Sequence, residues 1–222
     1  MQNIGIIIVV GSPKGGVGKS TQSIHIAAHL ANTGKPTILV DADDRQSSQK
    51  WVQRRHDAGA FAPIVAASLH GNIAEKVKLL AQNFAYVVVD CGGTKSPELL
   101  SVLGVADILL TPFRPTDVDI DVFQYMNGLV KEKRMSNPKL RPFLLTNEAP
   151  SNASNAALER LMADVRILAK SSMDEYKLID VAIKTRAIYQ TCYGEGATVH
   201  DYAKQNKLAV DEMNQVFKEI LQ

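Results

Sequence analysis

The run Gly11-Ser12-Pro13-Lys14-Gly15-Gly16-Val17-Gly18-Lys19-Ser20-Thr21 constrains this chain more than any other feature. An unbroken apolar stretch, Ile4-Gly5-Ile6-Ile7-Ile8-Val9-Val10, precedes it. A helix-period stripe of Ile24, Ala27, Ala28 and Ala31 follows it. A glycine loop between a buried strand and a helix is the setting in which backbone N–H groups turn inward around phosphate oxygens. Gly15, Gly16 and Gly18 let the main chain approach those oxygens closely. The helix N-terminus adds partial positive charge. Lys19 is expected to reach the β- and γ-phosphates, and the Ser20 hydroxyl to ligate Mg²⁺.

Further apolar, β-branched runs lie at Thr37–Val40, Tyr86–Val89, Ile108–Leu110 and Pro142–Leu145. Continuous apolar runs bounded by turn residues read as strands buried on both faces, as in parallel sheets. Helical stripes separate them: Ile73, Val77, Leu80 and Ala81; Val122, Tyr125, Met126 and Leu129; Leu158, Leu161, Met162 and Val165. The alternation predicts an α/β P-loop NTPase fold, a mostly parallel twisted sheet with helices on both faces. Ala149–Asn155 reads as a loop ending in a helix cap, not a domain boundary, so residues 1–222 form one expected domain.

Two carboxylates end predicted strands. Asp41 follows Thr37–Val40, and Asp90 follows Tyr86–Val89. C-terminal strand ends are where open α/β sheets bind ligands. A carboxylate after four apolar residues is costly to bury unless it serves a cation or strong donors. Asp90 is therefore expected to hold Mg²⁺ through water, as a Walker B acid.

The strict pattern G-x-x-x-x-G-K-[ST] fails, because Pro13 stands where its first glycine belongs and a second lysine, Lys14, follows. This is the deviant Walker A form, x-K-G-G-x-x-K-[ST]. It resembles that of the ParA/MinD family of ATPases over nearly the whole chain, most closely the small plasmid-partition ATPases without an N-terminal DNA-binding extension. The resemblance implies ATP or ADP with Mg²⁺ as cofactors, held by Lys14, Gly15, Gly16, Val17, Gly18, Lys19, Ser20 and Thr21. It assigns Lys14 a contact with the partner protomer's nucleotide, and Asp41 the positioning of attacking water and metal shell. Ser20, Asp41 and Asp90 become the metal set, and Lys14, Lys19 and Asp41 the catalytic one. Asn147, at the end of Leu144-Leu145-Thr146-Asn147, is assigned an adenine contact; a turn asparagine is the plainer alternative. Thr111 to Asp119 resembles the family's proline-rich segment near the dimer interface, with Asp119 at a frequent acidic position. Ile183-Lys184-Thr185-Arg186 with Gly196-Ala197-Thr198-Val199 resembles a late stretch whose arginine is associated with non-specific DNA. On that basis Arg186, joined by Lys184, Lys204 and Lys207, forms the candidate DNA contacts. The chain departs from the family after its second strand. Asp41-Ala42-Asp43-Asp44-Arg45-Gln46 replaces the common D-x-D-P-Q.

The implied function is plasmid partition. An ATP-driven homodimer binds DNA non-specifically, and a centromere-binding-type adaptor stimulates slow hydrolysis. The alternatives are an ATPase positioning a protein cargo, a MinD-like membrane switch, and a P-loop metabolic kinase or ligase. Composition trims these. A net charge of +2 gives no global nucleic-acid signal. Two cysteines, Cys91 and Cys192, supply neither a disulfide framework nor an iron–sulfur cluster, and suit a cytoplasmic setting. The C-terminal stripe Val210, Met213, Val216, Phe217, Ile220 and Leu221 backs a net acidic face with Asp211, Glu212, Lys218 and Glu219. That pattern predicts packing onto the body and no membrane partner. His25 and His29 stand at metal-binding spacing without a nearby third ligand.

Overall fold

A computed structural model describes residues 4–93, 96–115 and 120–222. Its seven strands are β1 (Ile6–Val10), β2 (Thr37–Ala42), β3 (Val65–Ser68), β4 (Tyr86–Cys91), β5 (Ile108–Phe113), β6 (Arg141–Ala149) and β7 (Lys177–Lys184). Its helices are α1 (Lys19–Asn32), α2 (Ser47–Ala58), α3 (Ala74–Ala81), α4 (Pro97–Val102), α5 (Ile120–Ser136), α6 (Asn155–Ser172), α7 (Ala187–Glu195) and α8 (Lys207–Ile220). The strands form one sheet in the order β3-β2-β4-β1-β5-β6-β7, and every pairing is parallel.

Strand period 2 sends alternate side chains to opposite faces. Ile7, Val9, Val87, Val89 and Leu109 pack with residues of α3, α4, α5 and α6. Ile8, Val10, Val88, Ile108 and Leu110 pack with residues of α1, α2 and α8. The expected layered α/β architecture is what forms.

Two strands and three helices were not legible as elements. β3 and β7 are the sheet's edges, and their side chains are only partly buried; β3 is just 4 residues long, and Asp180 interrupts the apolar run of β7. α2 buries Ser48, Trp51, Val52 and Arg55, a mostly polar face that carries no apolar stripe. α4 has only 6 residues, and α7 buries Cys192 alone. β5 continues through Thr111-Pro112-Phe113, inside the proline-rich segment. Leu110 turns its carbonyl to β1, accepting from Gly11, so Pro112 faces that same side. There β1 has already passed into the glycine loop, and the N–H that Pro112 lacks costs no ladder bond. β6 likewise runs past Asn147 to Ala149. The predicted cap beyond it is Ser154, whose hydroxyl accepts from the Ala157 N–H at 3.2 Å.

α8 seats Ala209, Met213, Val216, Phe217 and Ile220 in the core, as its stripe predicted. Among the described residues no helix is long and apolar enough to cross a membrane.

Candidate nucleotide site

The loop between β1 and α1 is stiffened from below. Asn147 donates from Nδ2 to the Val17 carbonyl at 2.8 Å, and its Oδ1 accepts from Gln22 Nε2 at 3.2 Å. Gly18 adopts φ +87°, and a Cβ there would stand 2.1 Å from Asn147 Nδ2. Only glycine permits both the conformation and the contact. Asn147 therefore sits inside β6 as a brace for the loop, a position that the reading of it as a base contact did not anticipate.

Lys19 is 7% exposed, and its ammonium donates to the Lys14 carbonyl at 2.8 Å. Burial lowers its pKa, while the nearby charges of Asp90 and Asp43 oppose that shift. An ammonium with so few fixed acceptors is poised for an anion. Lys14 itself is half-buried.

Asp41 and Asp90 are register partners on β2 and β4, so the two carboxylates stand side by side at the C-terminal edge. Asp90 is fully buried and accepts from Ser23 Oγ at 3.2 Å, from the Ser48 hydroxyl, and from Ser20. Burial pushes its pKa up to about 6, with Asp41 adding to the rise and the serine hydrogen bonds and Lys19 opposing it. Asp41 accepts the Asp43 N–H at 3.1 Å and the Gln49 N–H at 2.9 Å. Burial raises its pKa, against those backbone bonds. It thus fixes the loop after β2 and the first turn of α2.

Ser20, Asp41 and Asp90 offer hydroxyl and carboxylate oxygens, the hard donors that Mg²⁺ takes. Among the described residues no group of three or more His, Cys, Asp or Glu side chains could hold a metal. The donor set therefore fits a cation completed by phosphate oxygens and water. The same observation removes His25 and His29 as a metal pair. His25 is buried, with Nδ1 2.7 Å from the Thr21 carbonyl and Nε2 accepting the Val199 N–H at 3.2 Å. His29 stacks on Phe217.

Lys19 and Ser20 border a cavity of about 510 Å³ lined also by Gly15, Gly16, Gly18, Thr21, Asp43, Arg45, Ser47, Gly93 and Glu148. A Cβ on Gly93 would lie 3.6 Å from the Pro13 carbonyl oxygen. Cys91, next to Asp90, is fully buried, and burial drives its thiol pKa well up. That suits packing and not nucleophilic chemistry.

A second cavity adjoins the first and shares Thr21 and Glu148 with it. Its other walls include Asn147, Ile183, Lys184, Thr185, Arg186, Tyr189 and Tyr193. Glu148 holds a left-handed φ of 55° and is ion-paired with Arg114. The sequence reading missed both residues: an isolated glutamate and an isolated arginine carry no pattern. It also gave Lys184, Lys204 and Lys207 with Arg186 as candidate DNA contacts. Their surroundings in the structure differ. The Lys184 ammonium donates to the Ala153 carbonyl at 2.9 Å, and the Arg186 guanidinium is paired with Glu212. Lys204 and Lys207 are exposed, in the turn before α8 and at its first residue. Asp119 lies outside the described residues.

The chain matches the model of the CobQ/CobB/MinD/ParA nucleotide binding domain over residues 8–218. It is 27% identical to the maintenance of carboxysome distribution protein A of Halothiobacillus neapolitanus, over 99% of this chain and 98% of that protein. It is 25% identical to Protein ParA of Rhizobium radiobacter, over 91% and 89% of the two chains. Among solved structures, a Cyanothece McdA variant in complex with ATP superposes with TM-score 0.74 at 12% identity, covering 97% of this chain and 96% of that one. A putative Borrelia burgdorferi plasmid partition protein bound to AMPPNP gives 0.66 at 18%, covering 97% and 100%.

Proposed function

The chain belongs to the CobQ/CobB/MinD/ParA nucleotide-binding family, and from that premise we propose that it is a nucleotide-switched positioning ATPase of ParA/MinD type. One observation carries this reading: a glycine loop with a nearly unpartnered buried ammonium faces two strand-end carboxylates set side by side. That arrangement suits γ-phosphoryl transfer from ATP to water, in which the protein works mainly by positioning and charge neutralisation.

Lys19 and the loop N–H groups neutralise the phosphates. Ser20 and Asp90 would hold Mg²⁺, with Asp41 oriented beside them. The cation, when bound, supplies charge neutralisation on the β- and γ-oxygens. Asp41, already gripping the loop after β2, orients the attacking water. The cavity that shares Thr21 and Glu148 with the phosphate cavity takes the base. Lys14 reaches the nucleotide of a second copy, so ATP closes a two-fold dimer and hydrolysis opens it.

The closed dimer binds DNA non-specifically, and an adaptor protein stimulates its hydrolysis. A plasmid is the cargo that the sequence resemblance favours. A protein assembly is the second reading, favoured by the match to a carboxysome-distribution protein across both whole chains. The deciding experiment is a DNA-binding titration with no nucleotide, with ADP, and with ATP in magnesium buffer. Binding confined to the ATP arm is expected. DNA affinity indifferent to nucleotide would overturn the switch and favour a metabolic kinase or ligase. ATP-dependent pelleting with liposomes would transfer it to the membrane-switch class.

A further inference from the structure

Arg45 occupies the segment where this chain departs from its family, and its main chain is pinned on both sides. Its N–H donates to Asp43 Oδ1 at 3.0 Å, and its carbonyl accepts the Lys50 ammonium at 2.9 Å. The next residue, Gln46, is held at φ 52°, in the left-handed region. Fixed in this way, the exposed Arg45 side chain lines the phosphate cavity.

Its place along the cavity is defined by what lies at each end. Thr21 and Glu148 mark the end that opens into the adjoining base-side cavity. Arg45 enters from the loop after β2, with Asp43 and Ser47. Asp41 grips that same loop through the Asp43 N–H. A chain of phosphates that begins at the base side and runs along the glycine loop therefore ends toward Arg45.

Among the described residues the guanidinium groups of Arg45, Arg54, Arg141 and Arg160 enter no ion pair, unlike those of Arg55, Arg114, Arg134, Arg166 and Arg186, and of the unpaired four Arg45 is the one that lines the phosphate cavity. A guanidinium presents a planar fork of donors that matches two phosphate oxygens at once. We propose that Arg45 contacts the γ-phosphate of the bound triphosphate and is the residue by which this protein distinguishes ATP from ADP. It lies close enough to Lys19 for their charges to repel, an effect that lowers the lysine's pKa, so an anion between them relieves both. Loss of the γ-phosphate removes the anion that Arg45 holds, and the loop carrying it loses its tie to the nucleotide.

The inference rests on the nucleotide-switch reading. Its test is calorimetric titration of the full chain with AMPPNP and with ADP, in magnesium buffer, for wild type, Arg45→Gln and Arg45→Lys. Arg45→Gln should weaken AMPPNP binding by about tenfold or more while ADP affinity stays within about twofold, because one charge-assisted contact is lost from one ligand only. Arg45→Lys should fall between, keeping the charge without the fork. Equal losses for the two nucleotides, or no loss for either, would overturn the proposal while leaving the switch intact. A wild-type chain that binds neither nucleotide would overturn the switch reading and this contact with it. Arg45 is exposed, so unfolding is not expected to obscure the result.

Discussion

Two buried cations lie at opposite ends of the region around α2, and they are treated very differently. Arg55 is 1% exposed and Lys19 is 7% exposed. Arg55 donates to the Ala62 carbonyl at 2.7 Å, to the Gly196 carbonyl at 2.9 Å and to Asp201 at 3.2 Å. The Trp51 and Phe61 rings lie 5.2 and 5.0 Å from its guanidinium carbon. Lys19 donates to the Lys14 carbonyl and, among the described residues, forms no ion pair with the nearby Asp90 and Asp43 carboxylates. A buried charge with a full set of partners holds elements together; one without them is a cost to folding that a ligand offsets. Arg55 belongs to the frame, and Lys19 belongs to the function.

The sharpest way to break that contrast is to remove both cations in turn. Arg55→Ala removes the ion pair from Asp201, which keeps its bonds from the Thr198 N–H and hydroxyl, and takes the donor from two carbonyls; it should cost about 3–5 kcal/mol of unfolding free energy by chemical denaturation. A loss below about 1 kcal/mol would place Arg55 outside the frame. Lys19→Ala should reduce ATP affinity at least about a hundredfold, roughly 3 kcal/mol, while the nucleotide-free protein keeps or gains stability. A drop in its denaturation midpoint comparable to that of Arg55→Ala would erase the distinction.

Asp90 extends the comparison to pH. Its folded pKa is raised to about 6 from 3.8, so its favourable contribution is full below pH 3.8 and lost as pH rises through 6. Asp90→Asn should therefore raise nucleotide-free stability at pH 7.5 by roughly 3 kcal/mol and flatten its pH dependence between those values. Lower stability across that range would show the carboxylate to be structural. The smallest effect is expected from Trp51→Phe, which removes the indole donor to the Ala197 carbonyl at 3.0 Å. It should cost about 1 kcal/mol and leave ATP affinity unchanged, measured by denaturation and calorimetry.

The phosphate end was legible because its chemistry sits in one contiguous run and in two carboxylates at the tips of buried strands. The frame was not. α2 turns Ser48, Trp51 and Arg55 inward, so hydropathy conceals a buried helix. The second cavity draws on Asn147 and Glu148 of β6 and on Ile183 to Tyr193, segments that only the sheet order brings together. Lys184 and Arg186 entered as candidate DNA contacts through the resemblance alone, and the pairing of Arg186 with Glu212, 26 residues further on, is not visible to any local pattern. β3 escaped because its 4 residues are too short a run to read, and β7 because Asp180 breaks its apolar stretch.

The short turn from Gly196 to Val199 has a mechanical meaning. α1, which springs from the glycine loop, meets it through His25 and the Val199 N–H. α2, which springs from the Arg45 loop, meets it through Trp51 and Arg55, and a Cβ on Gly196 would come within 2.2 Å of the Arg55 nitrogen. The two flanks of the cleft are thus moored to a single anchorage on the far side of the layer, geared together like two levers on one axle. Neither flank can swing without loading that axle, and any side chain grafted at position 196 would jam it.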